Sequence, residues 1–206
     1  MASSANGHAL ASLDAWPRWP GGVLALVGPE GVGKSHMAMC WAQACGAQTV
    51  PAEGPVDYAA LAGAPVLYED ADRHAAGREE ALFHLINMAA QPGGGLLITA
   101  RTPPSAWPAT LADLRSRLNA LMVAEVDEPD DTILDSVLRK FFRERNIRPA
   151  DDVIPYLLRR IERSVPKARE IVIRLDDAAD AEGRAISRAL ARQILETDPP
   201  TLNLFD

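Results

Sequence analysis

In the first part of the chain, apolar residues fall in short unbroken runs separated by stretches of helical period. "GGVLALVG" at 21–28 is such a run, closed by a glycine, and "KSHMAMCWAQACGA" continues with helix formers as far as a stop at Gly46. The pattern predicts a strand, a loop and a helix in that order. "APVLYEDADR" at 64–73 reads as a second buried strand ending in acids, and "GREEALFHLINMAAQ" at 77–91 places Leu82, Leu85, Ile86 and Ala89 on one helical face. "GGGLLITAR" at 93–101 and "NALMVAEVDEPD" at 119–130 supply two more strands. Strands with no polar face, separated by helices, imply a parallel sheet covered on both sides, so the fold class is α/β.

After Glu128-Pro129 the pattern changes. "DDTILDSVLRKFFRERN", "ADDVIPYLLRRIERS", "PKAREIVIRLDDAADAEGR" and "SRALARQILE" all carry helical spacing, with no strand signal. Asp130 and Ser187 suit N-caps, and Asn146 and Gly183 suit helix stops. The expected organisation is an α/β unit over 1–128, a small helical unit over 129–196, and a tail over 197–206 with two prolines and a stranded apolar cluster.

Composition narrows the function. With 206 residues, 48% of them hydrophobic, the chain can bury a sizeable core. The 28 acidic against 21 basic residues give a net charge of −7, which disfavours nucleic-acid binding over the whole surface. Cys40 and Cys45 fall on different faces of one helix and lack a C-x-x-C spacing, so they read as small buried hydrophobes in a reducing environment. His8, His36, His74 and His84 show no metal spacing, and Trp16, Trp19 and Trp41 read as core aromatics. The start, "MASSANGHALASLDAWPRWP", lacks the basic and apolar regions of a signal peptide, and no apolar run approaches transmembrane length. The expectation is a cytoplasmic protein with no membrane partner.

The most specific chemical signal is "GPEGVGKSH" at 28–36, which matches G-x-x-x-x-G-K-[ST] through Gly28, Gly33, Lys34 and Ser35. Backbone N–H groups of Gly28, Pro29, Glu30, Gly31, Val32, Gly33, Lys34, Ser35 and His36, proline excepted, are the candidate cradle for phosphates. Lys34 would reach the β/γ oxygens, Ser35 would ligate Mg2+, and the helix that follows points its positive end at the anion. A second strand must then carry acids. "PVLYEDAD" offers Glu69 at the magnesium-facing position and Asp70 at the water-polarising one, the reverse of the usual aspartate–glutamate order, which puts hydrolytic competence in doubt. Asp72 reads as a cap of the next turn.

"WPRWPGGVLALVGPEGVGKSHMA", "VLYEDADR", "LLITARTPP", "LRSRL" and the helical tail, in that order, resemble the AAA+ module of the DnaA-related regulators called Hda, especially the short alphaproteobacterial forms. The resemblance covers nearly the whole chain. It implies a three-layer AAA+ P-loop core with a helical lid, holding ADP or ATP with Mg2+. It further implies a regulator that docks on the DNA polymerase III sliding clamp (beta subunit), reaches DNA only through it, and stimulates hydrolysis of DnaA-bound ATP, with weak or no ATPase of its own. A homodimer stays open. So does the alternative of a self-sufficient ATPase of helicase-loader or initiator type, although no basic helix-turn-helix domain follows the helices.

By the same resemblance, Thr99 matches the sensor of the γ-phosphate and Arg117, in "SRL", the arginine finger, with Arg115 a competitor; Arg101 reads as a solvated loop arginine. Pro166 stands where a second sensor arginine is expected, leaving Lys167 or Arg169 as substitutes. The resemblance implies a short clamp motif before the module, and the sequence starts at "MASSANGHAL" without one, so that either the start is truncated or the motif has moved. "TLNLF" at 201–205 offers Leu202, Leu204 and Phe205 instead, either to the clamp or back onto the lid, and the segment from Asn6 to Leu13 resembles the family's stretch beside the adenine.

Overall fold

A computed structural model describes residues 3–51, 53–74 and 77–197, and its chain divides into two units with the boundary between Glu128 and Pro129. The first unit runs α1 (Gly7–Asp14), β1 (Val23–Val27), α2 (Lys34–Cys45), β2 (Gln48–Thr49), α3 (Tyr58–Leu61), β3 (Pro65–Tyr68), α4 (Ala71–His74), α5 (Glu79–Ala89), β4 (Gly95–Ala100), α6 (Ala112–Ala120) and β5 (Met122–Glu125). The strands form one sheet in the order β2-β3-β4-β1-β5, and every neighbouring pair is parallel.

Residue alternation sorts the sheet's side chains between two covering layers. Val23, Ala25, Val27, Val66, Tyr68, Leu96 and Ile98 pack with Leu82, Leu85 and Ile86 of α5 and Leu114 and Leu118 of α6. Leu24, Leu26, Leu67 and Leu97 pack on the other side with Leu13 of α1 and Met37, Ala38 and Trp41 of α2. Every residue of β1 and β4 is buried, which is why their sequences show no polar face. Trp19 stacks on Trp41 with ring centres 5.2 Å apart, Trp16 meets Trp41 edge-on at 5.9 Å, and the Trp19 indole N–H donates to the Ser12 carbonyl at 2.7 Å. The aromatics thus fasten α1 to α2.

Five elements escape the periodicity reading. β2 has only two residues, both exposed, and α3 and α4 have only four each. α1 and α6 each bury too few apolar residues to signal a helix: Ala9 and Leu13, beside the polar Ser12, in one, and Leu114 and Leu118 in the other. The expectation that both cysteines are buried fails for Cys40, which is exposed. The inward face of α2 carries Met37, Ala38, Trp41 and Ala42, so position 40 turns outward. Cys45 is partly buried, and burial pushes its thiol pKa up.

The second unit comprises α7 (Asp131–Glu144), α8 (Val153–Leu158), α9 (Val165–Glu182) and α10 (Arg188–Glu196) around Leu134, Leu138, Phe142, Leu157, Ile171, Leu175 and Leu190. Its ends are capped as the sequence predicts. Asp130 accepts from the Ile133 N–H at 2.9 Å, Ser187 from the Leu190 N–H at 3.4 Å, and Gly183 closes α9 at φ 59°. Asn146 takes φ 57° just beyond α7.

All four tryptophans lie within the first 128 residues, so indole emission reports on that unit. Leu26→Ala removes a fully buried side chain from β1, an interior strand, and is expected to cost about 2–5 kcal/mol, read as an earlier urea-unfolding transition in tryptophan emission.

Candidate functional site

The parallel arrangement brings the C-terminal ends of β1, β3 and β4 to one edge of the sheet, where an open α/β fold places its ligands. Gly28, the first residue beyond β1, donates its N–H to the Ala100 carbonyl at 3.2 Å, and a Cβ at this position would sit 2.1 Å from the Val126 carbonyl oxygen. No residue with a side chain fits there without moving the backbone. Gly31 and Gly33 take φ of 81° and 102°, curling the loop toward α2, and buried Val32 anchors it in the tryptophan layer. Gly33 caps α2 without a side-chain bond, leaving the first amide N–H groups of the helix, at Lys34, Ser35 and His36, without intrahelical acceptors. Pro29, Glu30, Ser35 and His36 are exposed around this turn.

The Lys34 ammonium is buried and donates to the Gly28 and Pro29 carbonyls, both at 2.7 Å. Burial lowers its pKa, and the negative charges of Asp70, Asp72 and Glu30 oppose that. A cation held by neutral carbonyls is suited to receive an anion, although the charges of Asp70, Asp72 and Glu30 oppose one. The loop therefore fits a polyphosphate in backbone approach, helix polarity and charge.

At the end of β3, Asp70 adopts φ 49°, which turns its N–H onto the Thr99 hydroxyl oxygen at 3.0 Å. Thr99 is fully buried, whereas the Asp70 carboxylate is 46% exposed and lies 3.9 Å from the Arg73 guanidinium. Arg73 also reaches Glu30, on the loop, at 3.3 Å. Glu69 Oε1 and Asp72 Oδ1 are buried oxygens without hydrogen-bond partners among the described residues. Such oxygens at a phosphate edge suit a hydrated divalent cation, and Glu69 with Ser35 is the pair the sequence offers for it. Among the described residues no group of three or more His, Cys, Asp or Glu is arranged to hold a metal unaided.

The structure differs from the sequence reading at Asp72 and Arg101. Asp72 Oδ2 accepts the Arg101 backbone N–H at 3.2 Å and lies 3.4 Å from Arg101 Nε, so Arg101 is paired rather than merely solvated. The signal for this pair lies in the adjacency of β3 and β4, which no local spacing reveals.

Arg117 is exposed in the last turn of α6, with its guanidinium carbon 5.1 Å above the Phe83 ring of α5. Phe83 packs in the α5/α6 layer, on the opposite side of the sheet from α2. Arg115, also on α6, instead donates to the Ala109 carbonyl at 2.8 Å, in the loop that precedes the helix. That loop is fastened by Glu79 at the start of α5, whose carboxylate accepts the Thr110 N–H at 2.9 Å, the Thr110 hydroxyl at 2.8 Å and the Leu111 N–H at 3.2 Å. In the helical unit, Pro166 occupies the first turn of α9 behind its Ser164 cap. Lys167 pairs with Glu170 at 3.1 Å, and the Arg169 guanidinium carbon lies 4.4 Å over the Phe141 ring. Leu202, Leu204 and Phe205 lie outside the described residues. Among the described residues no helix is long and apolar enough to cross a membrane.

Strand order, loop and following helix together define a P-loop α/β protein of AAA+ type. No family model matches the chain. The chromosomal replication initiator protein DnaA of Thermomicrobium roseum is 29% identical over 133 residues, 63% of this chain and 29% of that protein. The chain spans less than a third of the length of the curated relatives it matches. Among solved structures, domain III of the Thermotoga maritima replication initiation protein DnaA superposes with a TM-score of 0.76 at 18% identity, covering 95% of this chain and 92% of that one. AMPPCP-bound DnaA from Aquifex aeolicus gives 0.67 at 16% identity over 89% and 65%. Sequence similarity and fold agree in supporting a DnaA-related AAA+ protein.

The hydrogen bonds from Thr110 and Leu111 hold the Glu79 carboxyl below its ordinary value of 4.5, with Arg115 adding a favourable charge. A folded-state pKa depressed in this way contributes stability that is present above the ordinary value and is lost as pH falls through the folded one. Glu79→Gln is therefore expected to melt below the parent at neutral pH, with the difference narrowing as pH is taken down below 4.5 in parallel thermal melts.

Proposed function

We propose that this chain is a nucleotide-dependent regulatory module of the Hda type. It holds ADP or ATP with magnesium at loop 28–36 and inserts Arg117 into the ATP site of a neighbouring DnaA molecule, so that DnaA-bound ATP is hydrolysed and chromosome replication does not re-initiate. The observation that carries this reading is the placement of Arg117, exposed and resting on the Phe83 ring, in the layer on the other side of the sheet from α2. Such an arginine faces outward, toward a partner.

Within the chain's own site, the free N–H groups at the start of α2 would bind phosphate oxygens, Lys34 would neutralise the terminal phosphates, and Ser35 with Glu69 would hold the magnesium. The bound magnesium nucleotide would supply screening of the phosphate charge. Thr99 accepts a hydrogen bond from Asp70 and keeps its own O–H to donate, as a γ-phosphate sensor requires. Asp70, in the water-polarising position, turns its carboxylate partly to solvent near Arg73, which supports weak hydrolysis in cis. The nucleotide then serves chiefly to set a conformation, and the catalytic group is delivered in trans. Docking on the polymerase sliding clamp would place the module at replicating DNA, and "TLNLF" with Leu202, Leu204 and Phe205 is the segment proposed for that contact.

In other nucleotide hydrolases an arginine delivered this way is worth about a thousandfold or more in rate. Arg117→Ala should retain fold and ADP binding but lose stimulation of DnaA-bound ATP hydrolysis on clamp-loaded DNA, with Arg115→Ala less affected, and Lys34→Ala should lose ADP binding in calorimetry. Undiminished stimulation by Arg117→Ala would remove the finger assignment. Rapid ATP turnover by the parent alone would replace this reading with a self-sufficient ATPase. Deleting residues 201–206 should abolish clamp binding with little change in melting temperature, whereas a large loss of stability would assign those residues to the fold.

A further inference from the structure

Two ties join the ends of β3 and β4 at the phosphate edge: the Asp70 N–H to Thr99 Oγ1 at 3.0 Å, and the Arg101 N–H to Asp72 Oδ2 at 3.2 Å. The first places a sensor hydroxyl. The second places a cation, since the residue before Arg101, Ala100, accepts the N–H of the first loop glycine at 3.2 Å. Resting on the reading of loop 28–36 as a nucleotide site, we propose that Arg101 discriminates tri- from diphosphate: its guanidinium rests against Asp72 and exchanges that partner for the terminal phosphate.

The pair is built for exchange. The Asp72 side chain is 7% exposed and Arg101 44%, so the acid is fixed while the arginine can swing. Their side-chain contact is a single long one of 3.4 Å, whereas the backbone N–H bond to Asp72 remains when the guanidinium leaves. That backbone bond keeps Asp72 Oδ2 partnered, so the nearly buried carboxylate is not stripped of every donor on release. A phosphate offers the planar guanidinium two parallel charge-assisted bonds, a stronger partner than one end of a shared carboxylate. The Arg101 charge already acts on Lys34, lowering its pKa, which places both cations at the same edge.

Calorimetric titration of the purified full chain with magnesium and either ADP or AMPPCP tests the exchange. Arg101→Ala should keep ADP affinity within about twofold and weaken AMPPCP by about tenfold or more. Asp72→Asn frees the arginine and should shift the AMPPCP-to-ADP affinity ratio the opposite way, in favour of AMPPCP. Arg101→Lys, which keeps charge but not the fork, should fall between Arg101→Ala and the parent, and circular dichroism checks that each variant is folded. Opposite shifts cannot come from a pair that only braces the loops. Equal losses of both nucleotides in Arg101→Ala and Asp72→Asn, or an unchanged ratio in Arg101→Ala, overturn the proposal. Failure of the parent to bind either nucleotide overturns the nucleotide reading itself, and this inference with it.

Discussion

The phosphate edge depends on how tightly the end of β1 is gripped between its neighbours. Val27 accepts the Val126 N–H at 2.8 Å on one side, and Gly28 donates to Ala100 at 3.2 Å on the other, so the chain leaves the sheet at a point fixed from both flanks. The Val126 carbonyl then crowds position 28 so closely that only glycine is accommodated. Loop direction, helix start and the burial of Lys34 all follow from that exit point. The phosphate loop is in this sense a property of three strands, although its signature occupies one short segment.

The electrostatics of the edge are nearly self-compensated. Lys34, Arg73 and Arg101 face Asp70, Asp72 and Glu30, and two of the cations are already paired, Arg73 with Glu30 and Arg101 with Asp72. This is how an acidic chain of net charge −7 presents an anion site without a broad basic surface. An arriving polyphosphate would compete with these resident carboxylates, and its selectivity would lie in which internal pairs it displaced. Arg117, by contrast, rests on an aromatic face, with no ion-pair partner among the described residues.

Much of this was legible in the sequence because the informative features are local. A buried run, a glycine-rich loop and a helix stop at Gly46 occupy consecutive residues, and the caps at Asp130 and Ser187 act within a single turn. The four-residue face of α5 appears as written, with Leu82, Leu85, Ile86 and Ala89 all buried. What escaped detection depends on distant segments meeting. The Asp72–Arg101 tie needs β3 beside β4, the Phe83 seat under Arg117 needs α5 beside α6, and Glu79 fastens a loop beginning far along the chain. α1 and α6 are helices held more by their neighbours than by their own periodicity, and tertiary packing decides such segments.

The sheet order also sets a schedule for assembly. β1 is complete at Val27, yet both strands that flank it, β4 and β5, come much later, the first beginning at Gly95. At ribosomal rates of about 5–20 residues per second, the wholly apolar segment Val23–Val27 waits several seconds without a pairing partner. Its nearest protection in that interval comes from the neighbouring tryptophan layer, whose Trp16, Trp19 and Trp41 are all synthesised within a few turns of it. Nascent chains stalled between residues 50 and 90 should accordingly be the stage at which this protein most needs a chaperone.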